Sequence, residues 1–169
     1  VGDLTYHTVT LTGQSDCAFA AGDYAVVDAG DGDDLIVLGA GPTPGKNGKA
    51  FGGAGADSIT VLQSGEELNG GNVIHVEVEG GDGDDTIVAA GSRISIKAGA
   101  GDDAVSLAPA SGATTLSQDN LVWGDAGADV VTVTAVAHTK VWGGDGGGNT
   151  ITVVGSASVP ATDVDITGG

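Results

Sequence analysis

Five aspartates and one asparagine, Asp34, Asp57, Asp85, Asp103, Asp129 and Asn149, stand at the matching place of six short glycine-rich stretches in this 169-residue chain. The clearest stretch is Gly80-Gly81-Asp82-Gly83-Asp84-Asp85-Thr86-Ile87-Val88. Glycines at its first, second and fourth places free the backbone for positive φ and close approach, and the sixth-place Asp85 can aim a carboxylate back into the turn. Carboxylate and carbonyl oxygens gathered this way are hard ligands. Calcium takes about six to eight of them, whereas magnesium requires a tighter octahedron with retained water, so calcium is the cation expected. If successive turns stack, the gaps Asp34/Asp57, Asp57/Asp85, Asp85/Asp103 and Asp103/Asp129 have a carboxylate on both sides, and Asp129/Asn149 is weaker by one charge. The third- and fifth-place acids Asp31, Asp33, Asp82, Asp84 and Asp102 are further candidate ligands. The competing reading is that the aspartates only satisfy turn amides, as Asx residues do. It leaves a stack of charges unneutralised.

With Gly80 as place one, the other copies are AGDGDDLIV from Ala29, GGAGADSIT from Gly52, AGAGDDAVS from Ala98, GDAGADVVT from Gly124 and GGDGGGNTIT from Gly143, the last with one extra residue. The fourth place is glycine in all six, which makes an internal repeat where a lone GxGxD would be any glycine-rich loop. These units resemble the nonapeptide repeat-in-toxin (RTX) family, whose consensus G-G-x-G-x-D-x-U-x marks a calcium-binding parallel β-helix or β-roll. The resemblance covers the six turn-and-strand units and not the sequence between them. It implies that each turn supplies half of a calcium site through its sixth-place side chain and its glycine-segment carbonyls. The chain departs from the family pattern: the units are not tandem, Ala29 and Ala98 replace the first glycine, Asp125 replaces the second, and Asn149 takes the last acid's place.

The charge balance sharpens the need for a cation. The net charge is −18, and of 23 acids 12 fall inside the six turns, against five Lys and Arg in the whole chain. Stacked carboxylates repel unless something positive sits between them. The same acidity excludes nucleic acid and anionic membrane as partners, since both require basic surface. With 32 glycines but 40% hydrophobic residues in short β-branched runs, the chain reads as one domain with a thin layered core rather than as disorder. Cys17 is the single cysteine, so no intrachain disulfide contributes; the thiol reads as a buried or merely tolerated one, or as an intermolecular crosslink. No run of about twenty apolar residues suits membrane insertion, and no signal peptide opens the chain. Its start at Val1 reads as a processed form or an excised piece.

The elements that must position the acids follow from alternation. Apolar residues lead into each turn (Ala25/Val27, Val76/Val78, Ile94/Ile96, Val122, Val141, Val164/Ile166) and follow it at places eight and ten (Ile36/Leu38, Ile59/Val61, Ile87/Ala89, Val105/Leu107, Val131/Val133, Ile151/Val153). These two sets are expected to be the inward faces of an all-β, flattened parallel β-solenoid of about six to seven irregular coils, β-roll-like, with one glycine/aspartate turn per coil. Residues 1–28 form an irregular first coil, 29–154 six motif-bearing coils, and 155–169 a loop and the start of another. The sixth-place residues are 23, 28, 18, 26 and 20 apart, so one edge is fixed and the surplus lies opposite, in 39–48, 62–75, 108–119 and 154–163, where all four prolines fall. Stacking like on like sets the outward column Asp28, Phe51, Glu79, Lys97, Trp123, Trp142 and Thr167, with Lys140 beside Asp165. The tryptophan pair either shields the sheet or stacks on sugar, which makes a cell-surface polysaccharide a candidate partner.

Nothing in the chain points to catalysis. His7, His75 and His138 are scattered, no GxSxG occurs, and the acids are committed to turns. Two functions are expected in its place. One is a secreted, calcium-stabilised structural subunit or module that self-associates, as a filament, surface layer or adhesin segment. The other, which the RTX resemblance allows, is a calcium-binding accessory module of a secreted protease, lipase or polysaccharide epimerase. Apolar outward residues Leu35, Val37, Val88 and Val130 favour a face covered by a neighbour. Ice binding through Thr60, Thr132 and Thr152 is undercut by Val37, Val88 and Ser106 in the same column. Head-to-tail stacking is also expected, because the terminal Gly168-Gly169 followed by Val1-Gly2-Asp3 of another copy would approximate a further turn.

Overall fold

The computed structural model describes residues 8–20, 24–39, 47–62, 75–111, 116–155 and 161–168. Strands come in pairs: β1 (Thr8–Thr10) and β2 (Cys17–Ala20), β3 (Val26–Asp31) and β4 (Leu35–Leu38), β5 (Lys49–Ala54) and β6 (Ser58–Leu62), β7 (Val76–Asp82) and β8 (Thr86–Ala90). They continue as β9 (Ile94–Ala100) and β10 (Ala104–Ala108), the two-residue β11 (Ser117–Gln118), then β12 (Leu121–Ala126) and β13 (Val130–Thr134). The last are β14 (Val136–Trp142), β15 (Thr150–Val154) and β16 (Thr162–Thr167).

Successive strands alternate between two all-parallel sheets. One runs β1-β3-β5-β7-β9-β12-β14, with β11 and β16 also on β14, and the other runs β2-β4-β6-β8-β10-β13-β15. Each strand pair is thus one turn of a parallel β-solenoid of about seven coils, as the alternation predicts. Period-two patterning explains the core: Ile36, Ile59, Ile87, Val105 and Val131 from one sheet meet Val27, Val78, Ile96, Val122 and Val141 from the other, all buried. At β15 and β16 the expected inward residues fare differently. Val153 and Ile166 are exposed and Ile151 and Val164 only half-buried, because these strands have a neighbouring coil on one side only among the described residues.

The register is the expected one. Asp28 pairs with Phe51, Phe51 with Glu79, Glu79 with Lys97, Lys97 with Trp123, Trp123 with Trp142, Trp142 with Thr167, and Lys140 with Asp165. The indoles of Trp123 and Trp142 stack at 4.8 Å and 5°, so each covers one face of the other along the solenoid axis. That arrangement suits the shielding role more than a sugar platform.

The two edges differ as the spacing requires. At the glycine edge, three residues connect strand to strand in β3–β4, β5–β6, β7–β8, β9–β10 and β12–β13. Place two is in the left-handed region throughout, and Asp125, which replaces glycine there, is held at φ 66°. Gly81 shows why glycine is otherwise needed: its φ is 125°, and a Cβ would sit 1.9 Å from the Gly53 carbonyl oxygen of the coil before. Gly81→Ala is expected to cost at least the roughly 1–3 kcal/mol of a strained backbone, with the clash added. A urea midpoint equal to that of the parent would refute this. The opposite edge varies from one residue between β13 and β14 upward. Pro109 lies there, whereas Pro42, Pro44 and Pro160 fall outside the described residues, as do most of the long connections, His7 and, of the ends invoked for head-to-tail stacking, Val1, Gly2, Asp3 and Gly169.

This second edge has an order of its own, four places before the outward column. Tyr24, Asn47, Arg93, Asp119, His138 and Asp163, none of them glycine, all have φ between 47° and 61°, just before or within the strands of the first sheet. The last four lie side by side: Arg93 Nε is 3.6 Å from Asp119, and His138 is 3.7 Å from Asp119 and 3.4 Å from Asp163. Beneath them Asn120 is fully buried, accepting from the Ile94 amide at 3.0 Å and donating to Ser117 Oγ at 2.8 Å.

Candidate metal centre: an inward aspartate ladder

The sixth place shares the parity of the inward places eight and ten, so its side chain points into the solenoid just where the sheet turns. Asp34, Asp57, Asp85, Asp103 and Asp129 are all buried. Each uses one oxygen to tie two coils together. The Asp34 amide donates to Asp57 Oδ1 at 2.8 Å, the Asp57 amide to Asp85 Oδ1 at 2.8 Å, and the Asp85 amide to Asp103 Oδ1 at 2.8 Å. The Asp103 amide donates to Asp129 Oδ1 at 3.1 Å, and the Asp129 amide to Asn149 Oδ1 at 2.8 Å. One more rung was not anticipated: the Asp16 amide donates to Asp34 Oδ1 at 2.7 Å, which brings the first coil into the ladder. Half of each carboxylate therefore does what an Asx side chain does, but for the neighbouring coil.

The other half is unsatisfied. Oδ2 of Asp34, Asp57, Asp85, Asp103 and Asp129 is buried without a hydrogen-bond partner. What it faces can be read at the first-place glycines. A Cβ on Gly80 would lie 2.3 Å from Asp85 Oδ2 and 2.3 Å from the Ala98 carbonyl oxygen of the next coil. On Gly124 it would lie 2.4 Å from both Asp129 Oδ2 and the Gly143 oxygen, and on Gly52 2.2 Å from Asp57 Oδ2 and 2.4 Å from the Gly80 oxygen. Carboxylate and carbonyl oxygens thus converge on a bare Cα.

The electrostatics agree. Desolvation, reinforced by the charges of neighbouring aspartates and opposed by the amide hydrogen bond, raises the pKa of Asp57 and Asp129, that of Asp103 to about 6 and that of Asp85 to about 7. A buried acceptor facing other acceptors is an arrangement that a divalent cation resolves, and the oxygens are the hard set calcium prefers. The residues present therefore fit the cation: Asp34, Asp57, Asp85, Asp103 and Asp129 would hold it through Oδ2, beside first-place carbonyls such as those of Gly80, Ala98 and Gly143. Among the described residues no three His, Cys, Asp or Glu side chains cluster as a metal centre, so a bound cation would draw its remaining ligands from backbone carbonyls and water.

The third- and fifth-place candidates lie elsewhere. Asp31, Asp33, Asp82, Asp84 and Asp102 are exposed, on the outside of the turns, and do not join the inner column. Alternation explains this, since odd places face outward where the sixth faces in. Three of them build a second ladder of opposite sense: Asp33 Oδ1 accepts from the Ala56 amide at 2.9 Å, Asp84 Oδ1 from Asp102 at 2.8 Å and Asp102 Oδ1 from Ala128 at 2.9 Å. In the inner ladder the acceptor sits one coil later than the donor, and in the outer ladder one coil earlier. Asn149 joins the inner column on different terms, because its Nδ2 donates to the Gly143 carbonyl at 3.0 Å.

No family model, curated protein or solved structure matches this chain. The fold rests on its own geometry.

Proposed function

We propose that this chain is a calcium-stabilised structural β-solenoid of the extracellular or cell-surface space that associates with copies of itself and has no catalytic role. The observation that carries the reading is the column of five buried, partnerless Oδ2 atoms along one edge. Such a column suits a protein folded by calcium where the ion is abundant, outside the cell, where modules with affinities around 10⁻⁴–10⁻³ M suffice.

Self-association is supported by the second sheet. None of its seven strands, β2, β4, β6, β8, β10, β13 and β15, carries a charged residue, although the chain has a net charge of −18. Its outward face exposes Phe19, Leu62, Val88, Val130 and Val154. Two copies so strongly acidic approach most easily through the surface that holds no charge. Sedimentation velocity in calcium is expected to show association that Val88→Lys with Val130→Lys reverses, while far-UV circular dichroism stays unchanged. A parent that is monomeric at all concentrations would remove the self-association and favour the second reading, an accessory module of a secreted enzyme.

A further inference from the structure

The six sixth-place side chains all accept the amide of the coil before, yet only five leave a buried atom without a partner. The exception is Asn149. Its Oδ1 does for Asp129 what each aspartate Oδ1 does one coil earlier, and its Nδ2 donates to the Gly143 carbonyl, the same oxygen that closes on Gly124 beside Asp129 Oδ2. Asp57, Asp85 and Asp129 hold Oδ2 beside the first-place carbonyl of the following coil (Gly80, Ala98 and Gly143), whereas Asn149 donates to the first-place carbonyl of its own turn; an aspartate there would set a second carboxylate oxygen against the Gly143 oxygen that Asp129 Oδ2 already flanks.

We infer that Asn149 is the terminator of the cation column: its carboxamide carries the donor that the aspartate steps must obtain from a bound cation, so the step at Gly143 is held closed without metal. The inference rests on the calcium reading for the aspartate steps, but the terminator itself is a hydrogen bond already in place. It also accounts for the amide at a repeat position otherwise filled by acid. Asn149→Asp keeps size and the Oδ1 acceptor, exchanges N–H for O⁻, and extends the column by one step.

The experiment compares parent, Asn149→Asp and Asn149→Leu, with calcium content measured by elemental analysis after gel filtration and melting followed in calcium and in chelator. Asn149→Asp is expected to bind one more calcium per chain, to melt lower than the parent in chelator, and to recover in calcium. Asn149→Leu, which loses the side chain's hydrogen bonds with Asp129, Gly143 and Gly146, is expected to melt lower in both media with no gain of metal. If the parent binds calcium and Asn149→Asp gains none and melts like the parent in chelator, the terminator is overturned. If no protein binds calcium but Asn149→Asp still melts lower in chelator, the calcium reading fails and takes the terminator with it, and only the stabilising hydrogen bond from Asn149 to Gly143 is upheld.

Discussion

Chelating calcium at pH 8 is expected to lower the melting temperature of this protein sharply, and acidifying the metal-free chain is expected to raise it again. Both follow from the inner column. The folded state raises the pKa of Asp85 to about 7 and of Asp103 to about 6, from an ordinary 3.8. An acid that holds its proton more tightly when folded stabilises the fold fully below its unfolded value. That stability is lost as pH climbs through the window between the unfolded and folded values, here from about pH 4 to about pH 7. For Asp85 alone the loss is on the order of 4 kcal/mol, a large part of the roughly 5–15 kcal/mol that holds a domain together. Calcium takes the proton's place above that window, so the holo-protein should show little pH dependence where the apo-protein shows much. Circular dichroism melts at pH 4.5 and pH 8, each with calcium and with chelator, check all four states. A metal-free melting temperature that is level between those two pH values would defeat the argument.

The second large effect is a reversal of sign at one residue. Asp85→Asn places at the centre of the ladder the group that Asn149 holds at its end. In chelator at pH 8 it is expected to stabilise by about 2–4 kcal/mol, because it removes a buried charge between Asp57 and Asp103 and brings its own donor. At pH 4, where the carboxyl is protonated, the gain should disappear. In calcium the same variant should bind the ion more weakly, and Asp85→Ala should raise the midpoint of a calcium titration more than Asp129→Ala, since Asp85 stands between two aspartates and Asp129 beside Asn149. A loss of stability for Asp85→Asn in chelator would mean that the carboxylate is satisfied in a way the column does not provide.

Much of this was legible because a solenoid writes its register into the sequence. Matching the first places of successive turns fixed every pair from Asp28 on Phe51 to Trp123 on Trp142, and the parity of places six, eight and ten fixed which side chains face in. The same parity puts Asp31, Asp33, Asp82, Asp84 and Asp102 on the outer side of the turns, away from the inner column. One feature left no period to find. Asp16 lacks the glycine spacing of the repeats, so its rung appears only when the first coil is stacked. The left-handed corner was within reach of the register, since Tyr24, Asn47, Arg93, Asp119, His138 and Asp163 each stand four places before a member of the outward column; the backbone adds the positive φ that they share.

Pairing along each sheet joins a coil to its immediate neighbours and to nothing more distant. Cooperativity in such a chain is a nearest-neighbour property: each coil is held by its own formation energy and by two interfaces, and a coil at the end by one. Unfolding should then advance as a front from an end rather than as a single event, with each bound cation pinning the interface it sits in. Amide exchange would read this as a gradient of protection along the axis, steep in chelator and shallow in calcium, with the slowest amides in β7 to β10, midway between the ends.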